Sequence, residues 1–133
     1  MDTPIHDSRY SWTRLVITLA IACVANAGMW AVIVVMPAME VELGLSRAQA
    51  SLPYTLTMIG FGTGNLVLGR IVDRYGVVVT LWGASLGAAI AYVAATGAGN
   101  MWFLALAHLL LGFCTSSGFG PLIADISHWF LRR

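Results

Sequence analysis

Four long apolar runs alternate with short polar connections along the chain: about Leu15–Met36, Leu52–Val72, Val77–Thr96 and Met101–Ala124. Each has about the twenty residues that a helix needs to cross a hydrocarbon core of about 30 Å, at about 1.5 Å per residue. Backbone polar groups in lipid must be satisfied within the segment, so runs of this length are helices. None alternates with a period of two, which excludes the strands of a membrane barrel. The pattern predicts an all-α integral membrane fold with helices at about 15–37, 47–72, 77–97 and 101–126. Residues 1–14 form a segment ahead of the first span.

The connections differ in chemistry. Between the first two spans, "PAMEVELGLSRAQAS" carries Glu40, Glu42 and Arg47, and Ser46 followed by Gln49 has the spacing of a capping box. The second helix is therefore expected to begin there and to project past the membrane. "GAGN", Gly97 to Asn100, joins the last two spans without a charge, whereas "GRIVDRYG", Gly69 to Gly76, packs three charges into the turn between spans two and three.

Composition agrees with the pattern. Only 10% of the 133 residues are charged, against about 25% in a soluble domain. A net charge of +1 leaves no basic surface for nucleic acid. The distribution of the cations is more telling than their number. Arg9, Arg14, Arg70, Arg74, Arg132 and Arg133 fall on one side of the four spans, and only Arg47 falls on the other. The positive-inside rule puts both termini and "GRIVDRYG" in the cytoplasm, as in a multi-pass protein of the inner (plasma) membrane. "ANA" at Ala25–Ala27 imitates a signal-peptide cleavage site, but the apolar run continues to Pro37, so cleavage is not expected. Cys23 and Cys114 lie inside apolar runs without metal-type spacing and are expected to be buried thiols.

Within the spans, Gly60 and Gly64, and Gly83 and Gly87, repeat at four-residue spacing, and Ala84, Ala88, Ala91 and Ala95 widen the small face of the third. Such faces let membrane helices approach closely. Polar residues form stripes of their own: Cys23, Asn26 and Trp30; Tyr54, Thr57 and Phe61; His108, Gly112, Thr115 and Ser116. Amide and ionisable groups are costly against lipid, so these stripes should face the bundle interior or a water-filled cavity. Asn26, Trp30, Tyr54 and His108 are the candidates for touching a substrate, with hydrogen bonding between helices as the competing role of Asn26, Tyr54 and His108. Asp125 lies near the depth of Arg70 and Arg74, where a salt bridge would account for it. No nucleophile set, phosphate loop or metal cluster is present, so neither an enzyme, a cofactor nor a metal is expected.

The residues of the charged turn carry a resemblance. Gly69, Ile71, Asp73, Arg74 and Gly76 in "GRIVDRYG" resemble the signature loop between helices 2 and 3 of the major facilitator superfamily. Where that pattern continues with basic residues, this chain has Val77 to Val79. "HLLLG", His108 to Gly112, puts a histidine where many members have an arginine, and "GFGPLIADISHWFLRR" looks like the monocarboxylate and oxalate–formate branches. The resemblance implies a secondary transporter of twelve helices in two halves, built from inverted three-helix repeats, with substrate between the halves. It implies that Asp73 faces a helix N-terminus of the other half and that Arg70 or Arg74 pairs with Asp125, a latch that breaks when the halves rock. The four spans would then be a fragment, and its partners would be the lipid bilayer, the missing C-terminal helices and a small-molecule substrate, with protons as a candidate co-substrate.

The expected function is transport of a small organic anion such as a monocarboxylate. Export of an apolar compound is the alternative, because Trp30, Tyr54 and Phe61 suit either. A complete four-helix exporter acting as an oligomer would need a carboxylate in the first span and little charge bias, and the chain has neither. A structural membrane subunit is the third class.

Overall fold

The computed structural model describes residues 8–120 together with 123 and 126, and among them every regular element is helical. Helix α1 spans Arg9–Leu43, the short α2 Arg47–Ala50, α3 Leu52–Tyr75, α4 Val77–Thr96 and α5 Met101–Thr115, followed by a 3₁₀ turn at Ser116–Gly118. Counting α2 with α3, four helical stretches are long and apolar enough to cross a membrane.

Local chemistry sets most of the boundaries. The Ser8 side chain accepts from the Ser11 N–H and starts α1 well before the apolar run does. That helix then passes through Pro37, where the sequence expectation ends it, and stops only at Gly44. Proline removes one N–H donor but does not force a stop, since membrane helices absorb the loss. Gly44, at φ 61° and ψ 31°, supplies the left-handed residue that closes a helix, and its N–H returns to the Glu40 carbonyl. At α2 both halves of the capping box form: the Ser46 N–H donates to Gln49 Oε1 at 3.0 Å, and the Gln49 N–H donates to Ser46 Oγ at 3.4 Å. Asn100 caps α5, accepting from the Phe103 N–H at 2.8 Å.

The core is a seam between α3 and α5. A methyl group added at Gly60 would fall on the Leu109 carbonyl oxygen, one at Gly64 on the Phe113 carbonyl oxygen, and one at Gly112 on the Thr57 carbonyl oxygen. The two backbones touch. Thr57, Gly60, Gly64 and Leu68 give α3 one buried face, and Leu109, Gly112 and Phe113 lie on the face of α5 that meets it. Helix α4 covers the pair through Thr80, Ala84 and Ala91, and Leu68, Ala84 and Cys114 cluster where the three helices meet. Gly83, expected on a close-packing face with Gly87, meets nothing among the described residues.

Helix α1 is held lightly. Met29 and Val32, each 5% exposed, are its buried apolar anchors. Cys23, expected to be buried, is exposed on α1, because the stripe that packs inward passes through Met29 and Val32 instead.

Candidate functional site

Helix α3 gives way to α4 across one residue. The Gly76 N–H donates to the Val72 carbonyl at 2.8 Å and ends α3, while the Gly76 carbonyl accepts from Thr80 Oγ1 at 3.0 Å in the first turn of α4. Gly76 has φ 86° and ψ 162°, a region that side-chain-bearing residues essentially never occupy. A reversal this tight leaves the last turn of α3 uncovered. Asp73, Arg74, Tyr75 and Gly76 are all exposed, as is Arg70 one turn earlier.

The cations of this turn are arranged locally. Arg70 donates from Nη1 to the Leu66 carbonyl at 2.9 Å, and the Arg74 guanidinium lies 5.4 Å from the Tyr75 ring centre. Asp73 presents its carboxylate outward without a hydrogen bond or ion pair among the described residues. Asp125, the expected partner of Arg70 or Arg74, lies outside the described residues. At Gly69, the first glycine of the signature loop, an added methyl group would meet nothing among the described residues.

Of the four intramembrane candidates, Asn26 and His108 hydrogen-bond within their own helices rather than across the bundle. Asn26 Nδ2 donates to the Ala22 carbonyl at 2.8 Å. His108 Nδ1 lies 2.9 Å from the Leu104 carbonyl, a geometry that makes Nδ1 the donor and leaves Nε2 to accept. Among the described residues neither makes the bond between helices that was its competing role. His108 and Tyr54 are half-buried, and Trp30 is 52% exposed on α1. None of the four lines the cavity of about 550 Å³ between α1, α4 and the end of α5.

Two features escape the sequence stripes. Tyr92 of α4 reaches α1, where its hydroxyl occupies the space that a side chain at Gly28 would take. The end of α5 carries three consecutive hydroxyls that fold back on carbonyls three residues earlier: Thr115 on Gly112 at 3.2 Å, Ser116 on Phe113 at 2.7 Å and Ser117 on Cys114 at 2.9 Å. These bonds satisfy carbonyls where the α-helix tightens into the 3₁₀ turn, so the break costs no buried unpaired oxygen. The run "TSS" signals this; the stripe holds Gly112, Thr115 and Ser116 but not Phe113, Cys114 or Ser117.

A family model described as Major Facilitator Superfamily matches residues 18–133. The chain belongs to the Major Facilitator Superfamily. It is accordingly a multi-pass membrane protein of a transporter family rather than an enzyme family, with lipid around it and a small molecule as its cargo. Neither curated proteins nor solved structures give a match.

Proposed function

We propose that this chain supplies the first four helices of an alternating-access secondary transporter for a small organic anion such as a monocarboxylate, with "GRIVDRYG" as its cytoplasmic gate. The observation that carries the gate is the one-residue reversal at Gly76, which leaves the Asp73 carboxylate outward and unpaired among the described residues at the end of α3. A carboxylate so presented suits the N-terminus of a helix in a second half of the transporter, where the helix dipole favours it by about 0.3–1 kcal/mol, or up to about 2 when partly buried. Rocking of the halves would break that contact. The orientation, N-terminus inside, is supported by the placement of Arg9, Arg14, Arg70 and Arg74 on one side and Arg47 on the other. For the cargo, the support is the half-buried imidazole of His108, whose Nδ1 is engaged by the Leu104 carbonyl and whose Nε2 is left to contact a solute.

Uptake of a labelled monocarboxylate by cells that express the whole transporter tests the reading. Asp73→Asn should leave membrane insertion normal and slow uptake strongly, whereas uptake at the wild-type rate would reduce the turn to a topology signal. His108→Ala should remove the pH dependence of uptake. Unchanged pH dependence in His108→Gln would take that residue out of the site.

A further inference from the structure

Helix α1 has few fixed points. Among the described residues its buried apolar side chains are Met29 and Val32. Beside them stands Gly28, whose missing side chain leaves a notch that the Tyr92 hydroxyl of α4 enters. In lipid no hydrophobic drive pulls two apolar helices together, so a knob seated in a notch sets their relative position. The place of this notch in the sequence matters. Asn26 and Trp30, on the stripe expected to touch a cargo, lie two residues before it and two residues after it. A step of two residues turns a helix by about 200°, so Gly28 and that stripe are on opposite faces of α1. The Asn26 side chain is bonded to the Ala22 carbonyl of its own helix, so its amide points wherever α1 turns it. A contact that fixes Gly28 from behind therefore aims Asn26 and Trp30 in front.

We propose that Tyr92 is a positioning residue: its hydroxyl, seated on Gly28, holds α1 at the rotation and height that present Asn26 and Trp30 to the cargo. The inference rests on the reading of the chain as part of a transporter, and it adds a residue that touches no cargo itself. The contact works as a stop. An added methyl group at Gly28 would fall on the Tyr92 hydroxyl, with the ring carbon that bears it next nearest, so a larger residue there displaces α1 from α4. Tyr92 is 43% exposed, so a shorter side chain at that position empties the notch without opening a void in the packed core.

Two readouts in cells that express the whole transporter test it. The first needs no cargo. Cys23 is exposed and lies on the stripe of Asn26 and Trp30, whereas Cys114 is buried where α3, α4 and α5 meet. N-ethylmaleimide should alkylate Cys23 and spare Cys114, as read by peptide mass spectrometry. Gly28→Ala should slow the reaction at Cys23 about ten-fold, and Tyr92→Leu about three-fold, effects within the range of residues in contact. The double variant Gly28→Ala/Tyr92→Leu should recover the Tyr92→Leu rate, because the added methyl group then has room. Gly83→Ala, where an added methyl group meets nothing among the described residues, should react as the wild type does.

The second readout is uptake of a labelled monocarboxylate. Gly28→Ala should raise KM about ten-fold at an unchanged maximal rate per inserted transporter, and the double variant should reverse most of that rise. A wild type that takes up no monocarboxylate would sink the assignment of the cargo and leave Cys23 to judge the position of α1. Alkylation of Cys114 would mark a variant as unfolded, and Tyr92→Leu, which inserts no atom, then decides. Equal alkylation of Cys23 in wild type and both single variants, no recovery in the double variant, or a fall in maximal rate at unchanged KM would overturn the proposal.

Discussion

Where α3 crosses α5, backbone meets backbone; where α1 runs beside α4, the helices stand apart around an open slot. The loosely packed pair is built from the more apolar sequence, so hydrophobicity is not what closes the other. In lipid it could not be, because the acyl chains outside are as apolar as the side chains within. The difference lies in where the small residues fall. Gly60 and Gly64 on α3 meet Leu109 and Phe113, and Gly112 on α5 meets Thr57, so each helix offers the other a notch. Helix α1 has Gly28 as its notch, and the Tyr92 hydroxyl fills it. One pair closes into a seam; the other leaves a groove.

The comparison breaks most sharply at Gly112. Gly112→Val would drive a side chain into the Thr57 backbone, which cannot yield as a flexible side chain can. Its cost should reach the upper end of overpacking effects, about 3 kcal/mol of unfolding free energy in micelles, or more. Gly83→Val, where an added methyl group meets nothing among the described residues, should stay within about 0.5 kcal/mol. Equal losses in the two variants would mean that the seam does not hold the bundle.

Gly76 joins the two regions, since it ends α3 and starts α4. Gly76→Ala forces a side chain into a backbone region reserved for glycine, and unfolding measurements should register about 1–3 kcal/mol. Gly69→Ala should be nearly silent in the same experiment, because open space surrounds that position among the described residues. A large loss at Gly69 would point to a packing partner beyond them.

The smallest effect concerns the 3₁₀ turn at the end of α5. Ser116→Ala removes the hydroxyl that satisfies the Phe113 carbonyl beside the seam, and it should cost about 1 kcal/mol. Thr63 makes similar bonds to Ile59 and Gly60 on an exposed face of α3. There lipid-side packing does not depend on the hydroxyl, and Thr63→Ala should stay within about 0.5 kcal/mol. If both variants lose alike, burial adds nothing to these carbonyl caps.

Sequence alone determined the helices and much of their punctuation. Runs of about twenty apolar residues permit no other backbone in lipid, and the Ser46–Gln49 box and the reversal between Asp73 and Val77 depend only on neighbours in the chain. Local signals can also be outvoted locally: Pro37 looked like an end, yet Gly44 was the residue with the left-handed backbone to make one. What only the tertiary structure decided is which small or polar stripe meets a neighbour. Gly60, Gly64 and Gly83 carry the same spacing signal, and the first two are in the seam while the third is not. Hydrogen bonding between helices was one of the roles open to Asn26 and His108, and each instead bonds to its own helix. Helical periodicity puts residues on a common face, but the crossing of two helices selects the face, and that crossing depends on both partners at once.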